Sequence, residues 1–249
     1  MCFNLKTDIP LKTQLHLIDR LAYKEVWDFQ TLLHQRIKSS KMIADKGTDE
    51  DTAKQLTHLL LCEHLPVYTL GKSAGDNFVH DPEQLKNLGF EIFKINRGGD
   101  ITYHGPGQIT GYLIIDLELL YRDVHKYVRN IELAVILTLN AYGITGKRLA
   151  AHTGVWVERD RQYHKVCAIG VHLSKWVSMH GFALNVNTTM DHFSHIVPCG
   201  IAEEGKVVTS MSKLLGKKLD LKEVMKRVSE KVSQVFNLDI INPQLFEDE

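Results

Sequence analysis

Cys199 is the residue of this sequence whose surroundings best suit covalent chemistry. It stands in the segment HIVPCGI, directly between a proline and a glycine. These neighbours interrupt regular structure, so the thiol would be held on a turn with free backbone N–H groups nearby. Such N–H groups can stabilise an oxyanion, and a thiolate is a strong nucleophile. The pattern predicts a catalytic thiol at Cys199, with a buried inert cysteine as the alternative.

The other thiols have less suitable surroundings. Cys2 lies at a terminus, and Cys62 and Cys167 lie in apolar, strand-like runs where cysteine usually acts as a small hydrophobic residue. The four cysteines show no CxxC spacing, which favours reduced thiols over a disulfide framework. A functional cysteine would therefore be a nucleophile or a metal ligand.

A metal site involving Cys199 is a weaker hypothesis. His192, His195 and Cys199 are three and four residues apart, a spacing that would place them on one face of a helix as zinc ligands. However, Pro198 disfavours helical backbone at Val197, which would break this face before the third ligand. We therefore expect no metal.

Lys165 is a candidate cation for such a thiol. A free thiol is mostly protonated at neutral pH, so a catalytic one needs a cation or a base beside it. Lys165 stands at the start of the apolar run VCAIGVHL. Taken alone, a lysine there is more often a strand-end charge that faces water, because lysine is rarely buried without a partner.

The stretch RGGDITYHGPGQITGY, from Arg97 to Tyr112, concentrates glycines among polar side chains. Glycine lets another molecule approach the backbone closely, so the stretch predicts a binding segment, with a plain turn as the alternative. The nearby Gly71-Lys72-Ser73 is not a phosphate-binding loop, because that motif needs glycine where this chain has Pro66.

The composition is that of a soluble globular protein. Of 249 residues, 44% are hydrophobic and 24% are charged, and 30 basic residues balance 30 acidic ones, which argues against broad nucleic-acid binding. No apolar run is long enough to span a bilayer, and the N-terminus does not resemble a signal peptide. We expect a cytoplasmic protein without a membrane partner.

Periodicity and turn signals predict an α+β fold in a single domain covering residues 1–249. The sheet should be mostly antiparallel or mixed, with the helices packed on one side. A mobile loop is expected at 39–55.

The predicted helices are Arg20 to Ile37, a short helix from Asp81-Pro82 to Gly89, about Val124 to Tyr142 ending at Gly143, and a last helix capped by Asp220. The predicted strands are Leu56 to His64, EIFKIN and YLIIDL around the glycine-rich stretch, and an antiparallel meander of GVWVE, VCAIGVHL and FALNV.

Three blocks, RGGDITYHGPGQ, KVCAIGVHLSKWVSMHGFALNV and IVPCGI, resemble in this order the signatures of the lipoyl(octanoyl) transferase family. EHLPVYTLGKSA and VVTSMSKLLG also resemble the family pattern, so the resemblance runs from about Glu63 to Leu215. The departures are Cys167, where alanine is expected, and Met179, where threonine is more usual.

The resemblance implies the fold of biotin and lipoate protein ligases, and an acyltransferase that needs no cofactor. It would carry out the first step of endogenous protein lipoylation, moving octanoyl from octanoyl-acyl carrier protein to a lysine ε-amine. The implied acceptors are lipoyl domains of 2-oxoacid dehydrogenase complexes and the glycine cleavage H protein, and we expect the enzyme to be a monomer. The family pattern makes Cys199 the acyl-thioester nucleophile and Lys165 the partner that lowers its pKa. It assigns the substrate-binding walls to Arg97, Gly98, Gly99, Asp100, Ile101, Thr102, Tyr103 and His104, to Ala168, Ile169 and Gly170, and to Gly181, Phe182 and Ala183.

Three other functions remain open at this point. An ATP-dependent lipoate or biotin ligase would have a similar fold. A thiol-dependent acyl hydrolase would use Cys199 with His180 or His104 as its base. A non-catalytic module that binds lipoyl domains or acyl chains would not need the cysteine.

Overall fold

The computed structural model describes residues 9–44, 56–74, 82–196 and 206–246. None of the helices in these ranges has the length and apolarity needed to cross a membrane. The helices are α1 (Tyr23–Ala44), α2 (Pro82–Asn87), α3 (Val124–Asn140), α4 (Met211–Leu215) and α5 (Leu221–Phe236). The strands are β1 (Leu11–Leu21), β2 (Thr57–His64), β3 (Val67–Leu70), β4 (Glu91–Lys94), β5 (Ile101–His104), β6 (Gln108–Ile114), β7 (Gly146–Leu149), β8 (His152–Arg159), β9 (Gln162–Ser174), β10 (Val177–Asn185), β11 (Lys206–Val208) and β12 (Leu238–Phe246).

Most of the strands form one mixed sheet in the order β12-β1-β2-β6-β10-β9-β8-β7, with β11 also paired to β9. β1 runs parallel to both β12 and β2, whereas the pairs from β2 to β7 are antiparallel. The α+β class and the meander of β8, β9 and β10 are therefore confirmed. A second sheet, in the order β4-β3-β5, was not predicted.

Helices cover both faces of the large sheet, so the prediction that they pack on one side is wrong. Successive side chains of a strand point to opposite faces. Leu59 and Leu61 of β2 belong to the core that includes α3 and α5, whereas Leu60 and Cys62 pack with Val26 and other residues of α1. β2 and β6 are accordingly buried on both faces, as expected for central strands with helices packed on each side.

Helix α1 extends to Ala44, so the prediction of a loop beginning at residue 39 is wrong for residues 39–44. The side chain of Lys41 lies 3.0 Å from the carboxylate of Asp116 and 2.9 Å from that of Glu118, which anchors this end of the helix. The sequence pattern could not show these long-range ion pairs. Residues 45–55 of the expected loop lie outside the described residues.

Capping residues mark the starts of the other long helices, and the cap at Asp220 was predicted from the sequence. Asp220 accepts hydrogen bonds from the backbone N–H groups of Lys222 and Glu223 at the start of α5. Asp123 does the same for Lys126 at the start of α3. α3 and α5 pack against each other over one face of the sheet.

The glycine-rich stretch does not simply connect two strands. Its first part is the loop of residues 97–100, its middle is β5, and its last part turns into β6. At this turn, Gly107 has a φ of +81°, and its N–H donates to the Glu63 carboxylate at 2.7 Å. The stretch therefore joins the small sheet to the large one.

Candidate functional site

A cavity of about 350 Å³ lies between the large sheet and the loop of residues 97–100. Its walls come from α1, α3, β5, β6, β8, β9, β10 and β11 together with this loop. The structure places these sequence-predicted residues in the cavity wall: Arg97, Gly98, Gly99, Asp100, Ile101, Thr102, His104, Lys165, Ala168, Ile169, Gly170, Gly181, Phe182 and Ala183.

Small residues on two neighbouring strands form the floor of the cavity. Gly170 of β9 pairs with Gly181 of β10, and Ala168 pairs with Ala183. Strand alternation places all four on the same face of the sheet. The side chain of Phe182 lies on the opposite face, within the core beneath α3 and α5, so this residue borders the cavity through its backbone. The floor is therefore flat and apolar, which suits an extended hydrocarbon chain.

A β-bulge brings Lys165 to the cavity. Along β8 and β9, Val155 pairs with Cys167, and the next residue, Trp156, pairs with Lys165. The extra residue on β9 is Val166, and a bulge of this kind changes which face the following side chains occupy. Lys165 and Ala168 can then share a face although they are three residues apart, and both line the cavity.

Lys165 is buried, with 9% of its surface exposed. Its Nζ lies 5.2 Å from the centre of the Trp156 ring, a cation–π contact that favours the ammonium form. The expectation that a lysine here faces water therefore does not hold. A lysine placed in a cavity wall is typical of a functional residue.

The loop of residues 97–100 is held in place by its own backbone. The N–H of Gly98 donates to the carbonyl of Val171 at 2.9 Å, and the N–H of Gly71 donates to the carbonyl of Asp100 at 2.8 Å. A Cβ on Gly71 would lie 2.2 Å from the carbonyl oxygen of Gly99. Glycine at position 71 thus permits the close approach of the two segments.

A chain of buried hydrogen bonds connects this loop to the strand that carries Lys165. The Arg97 guanidinium donates to Thr69, whose hydroxyl contacts His104 Nε2 at 3.3 Å. His104 Nδ1 donates to Gln108 Oε1 at 2.8 Å, because the Gln108 amide nitrogen donates to Asn185 Oδ1. Asn185 in turn donates to the carbonyl of Thr209, and the Thr209 N–H donates to the carbonyl of Lys165. Such satisfied networks rigidify a site.

Two histidines of the cavity wall, His104 and His180, are held neutral. Burial is the main reason that the pKa of His104 lies well below its usual value and that the pKa of His180 falls to about 3. His180 Nε2 contacts Asn96 Oδ1 at 2.6 Å, and its backbone has a φ of +61°. Groups that take up a proton this weakly are poor general bases near neutral pH.

The two cysteines in the described part of the chain are buried in the core. Burial raises the pKa of Cys62 to about 12 and also raises the pKa of Cys167, so neither forms a thiolate readily. Cys199 lies outside the described residues. The zinc hypothesis is untested for the same reason, although within the ranges that are described no cluster of His, Cys, Asp and Glu could hold a metal ion.

Tyr103 is the one described residue of the predicted walls that does not line the cavity. It alternates with Thr102 and His104 on β5, so its ring lies on the other face and packs against Tyr68 and Phe193.

The cavity wall also contains residues that the sequence did not predict, among them Tyr23, Tyr112, His152 and Asn185. Tyr112 and Asn185 could have been suspected, because each stands in or beside a signature block.

Comparison with known proteins gives a family and close relatives. Residues 22–233 match the family model described as lipoyl protein ligase A/B catalytic domain. A protein of Flavobacterium psychrophilum named octanoyltransferase is 45% identical over 92% of this chain and 98% of its own length. One of the same name from Flavobacterium johnsoniae is 44% identical over 92% of this chain and 99% of its own.

Solved structures show the same fold at low sequence identity. A bipartite lipoate protein ligase from Thermoplasma acidophilum superposes with a TM-score of 0.68 at 15% identity, covering 96% of this chain and 88% of that one. A lipoate-protein ligase A bound with ATP gives a TM-score of 0.67 at 15% identity, covering 95% and 90%. These likenesses concern the fold alone.

Proposed function

The chain belongs to the lipoyl protein ligase A/B catalytic domain family, and from this premise we propose a specific acyl transfer. The chain is an octanoyltransferase of protein lipoylation. In the proposed reaction, octanoyl moves from the thioester of acyl carrier protein to Cys199, and then to a lysine ε-amine of a lipoate-dependent enzyme domain. The acceptors are lipoyl domains of 2-oxoacid dehydrogenase complexes and the glycine cleavage H protein.

One observation carries this proposal: a buried lysine, Lys165, lies in the wall of a cavity with an apolar floor of glycine and alanine. Such a cavity accepts a hydrocarbon chain, and such a lysine can act on a reacting group at the chain's carbonyl end. Phe193 and Val208 also line the cavity, and Cys199 lies between them in sequence. The wall residues Arg97 to Thr102, His104, Ala168 to Gly170, and Gly181 to Ala183 are proposed to bind the acyl chain.

In the first step, the Cys199 thiolate attacks the carbonyl carbon of the incoming thioester. A new sulfur–carbon bond forms, the old one breaks, and the carrier's thiolate leaves and takes up a proton. The Lys165 ammonium favours the attacking thiolate by its opposite charge. One thioester replaces another, so the step is nearly balanced in free energy and needs no ATP.

In the second step, the acceptor's lysine amine attacks the carbonyl carbon of the octanoyl-Cys199 thioester. The amide bond forms, and the Cys199 sulfur leaves as a thiolate. Once Cys199 is acylated, Lys165 no longer faces a thiolate, so it can lose its proton and accept one from the incoming amine. Lys165 is then the general base of this step. Covalent catalysis lets two large partners use one site in turn.

The alternative functions have less support. A hydrolase would need a histidine base, and burial keeps the pKa values of both His104 and His180 far below neutral. A ligase would need ATP to activate a free acid, whereas relatives that match nearly the full chain are named octanoyltransferase. A non-catalytic module gives no reason for a buried lysine in the cavity wall.

We also propose that residues 1–249 form a single catalytic domain that acts as a monomer in the cytoplasm. One continuous core links β1, β2, β6, β8, β9 and β10 with α3 and α5, and the family match spans most of the chain. Both observations support a single domain.

The proposed function is tested by supplying either activated or free acid to the enzyme with a purified lipoyl domain as the acceptor. With octanoyl-acyl carrier protein and no ATP, we expect octanoylation of one acceptor lysine, identified by peptide mass spectrometry. Octanoate with ATP and Mg²⁺ should give none. The reverse pattern would identify a ligase, and release of free octanoate from the carrier without acceptor labelling would identify a hydrolase.

A further inference from the structure

A buried carboxylate that the proposed reaction does not use lies behind Lys165. Glu132 of α3 is 0% exposed. One of its oxygens accepts hydrogen bonds from Arg129 at 2.7 Å and from Arg148 at 3.0 Å. Its other oxygen accepts a hydrogen bond from the backbone N–H of Gly154 at 3.0 Å. The carboxylate thus ties α3 to the backbone of β8.

Gly154 is the point where β8 lies against the side chain of Lys165. It has a φ of +125°, and a Cβ there would lie 2.9 Å from Lys165 Cε and 2.6 Å from the carbonyl oxygen of Cys167. Glycine at this position therefore allows β8 to approach both the Cys167 carbonyl and the lysine stem closely. Glu132 holds the N–H of that same residue.

The electrostatics of the buried Cys167 thiol place Glu132 and Lys165 in the same neighbourhood. Burial raises the pKa of Cys167, the charge of Lys165 lowers it, and the charge of Glu132 raises it further. The carboxylate and the ammonium therefore both lie within electrostatic range of one sulfur atom.

We propose that Glu132 is a positioning residue for Lys165. By holding the N–H of Gly154, its carboxylate fixes the backbone against which the lysine stem lies, and so fixes the ammonium in the cavity wall. The inference rests on the proposed pairing of Lys165 with Cys199. In this role, what matters is that the Glu132 side chain is long enough to accept the hydrogen bond from the Gly154 N–H, and not that it is charged.

Other charged or titratable groups pack around this point and must stay unchanged in any test. α3 contributes Arg129, β7 contributes Arg148, and β8 contributes His152, which contacts Lys206 of β11 at 2.8 Å. β9 contributes Cys167. None of them is altered in the variants below.

Two substitutions distinguish the effect of the length of the Glu132 side chain from the effect of its charge. Glu132→Asp keeps the charge, but its carboxylate is one methylene shorter and loses the N–H of Gly154. Glu132→Gln loses the charge, but its amide oxygen still reaches that N–H. The half-exposed Arg129 and Arg148 side chains can turn to water in the Gln variant.

The readout is the pH dependence of Cys199 alkylation by iodoacetamide, followed on the tryptic peptide from Trp176 to Lys206, whose only cysteine is Cys199. Lys165→Ala should move the profile about 1 unit or more to higher pH, because the thiolate loses its cation. Glu132→Asp should move it in the same direction by about half a unit. Glu132→Gln should leave it in place.

Each outcome decides the proposal. A shift in Glu132→Gln, with or without one in Glu132→Asp, shows that the charge matters and overturns the positioning role. So do unshifted profiles in both variants when Lys165→Ala is shifted. An unshifted Lys165→Ala overturns the pairing of Lys165 with Cys199, and the inference with it. If Glu132→Asp does not fold, Glu132→Asn replaces it, since it carries the amide of the Gln variant on the shorter stem.

Discussion

Gly170 and Gly181 lie directly opposite each other on the antiparallel strands β9 and β10, at the centre of the cavity floor. A Cβ on Gly170 would lie 2.7 Å from the carbonyl oxygen of Gly98, and one on Gly181 would lie 2.2 Å from that of Gly111. Gly170 therefore lets the loop of residues 97–100 approach the sheet and sets the height of the cavity, whereas Gly181 lets β10 lie close to the backbone of β6.

Gly170→Ala should displace this loop and reduce octanoyl loading, while the Cys199 thiol stays reactive. The added methyl group meets backbone atoms, which cannot turn aside as a flexible side chain can. We expect roughly 1–3 kcal/mol of destabilisation and a much larger loss of loading. Denaturant unfolding, Cys199 alkylation and loading measured by intact mass would check this.

The control for Gly170→Ala is Gly143→Ala. Gly143 has a φ of +74°, so alanine there is also strained, but a Cβ would meet nothing within 4 Å, and the residue lies beyond the end of α3. This variant should lose stability and keep its octanoyl loading. Equal loading defects in the two variants would mean that loading follows stability and not the height of the cavity.

Ala168→Leu should change the acyl length that the enzyme prefers. The larger side chain would occupy part of a cavity of about 350 Å³ that has an alanine and glycine floor. Loading of octanoyl should therefore fall more than loading of butanoyl, which makes the short donor an internal control. An equal fall for both donors would place the acyl chain elsewhere.

Lys165→Arg should separate the two steps of the reaction. Arginine keeps the positive charge but does not release its proton, so the acyl-enzyme should form while transfer to the lipoyl domain slows by about 10²–10⁴-fold. Single-turnover measurements with each partner added in turn would resolve the two rates. Unchanged transfer would exclude Lys165 as the base.

Acid should destabilise the fold because several buried histidines stay neutral. Burial lowers the pKa of His64 to about 4 from 6.5, so the unfolded chain binds the extra proton first as the pH falls. Stability is therefore complete above about pH 6.5 and is lost towards pH 4, with about 3 kcal/mol from this one residue. Urea unfolding across this range should show a shallower pH dependence in His64→Gln.

The matched control for the acid experiment is His125→Gln, because the side chain of His125 is exposed on α3. This variant should unfold with the pH dependence of the parent protein. If His64→Gln also kept that dependence, the buried His64 would not be a source of the acid sensitivity.

Periodicity recovered the elements with one polar and one apolar face, or with clear end signals. α5 follows its Asp220 cap, and α3 ends before Gly143. β1 escaped prediction because its buried residues include Thr13, Gln14 and His16, which do not form an apolar pattern. Its parallel partners are also far away in sequence, and local patterns cannot show such pairing.

The signature blocks located most of the cavity wall, but not the orientation of its residues. Simple alternation along β9 would place Lys165 and Ala168 on opposite faces, and only the bulge at Val166 changes this. Glu132 could not be singled out, because one glutamate beside the apolar stripe of a helix resembles any solvated residue until its partners are known. The close contact of Gly154 with Lys165 likewise becomes visible only in the three-dimensional structure.

The most direct test of the account is the covalent intermediate itself. The protein is incubated with octanoyl-acyl carrier protein, without ATP and without acceptor, and its intact mass is measured beside that of Cys199→Ser. We predict one octanoyl adduct on the parent protein that hydroxylamine removes, as expected for a thioester, and no such adduct on the variant. No adduct on the parent protein, or a hydroxylamine-sensitive adduct that persists in Cys199→Ser, would contradict a transfer through Cys199.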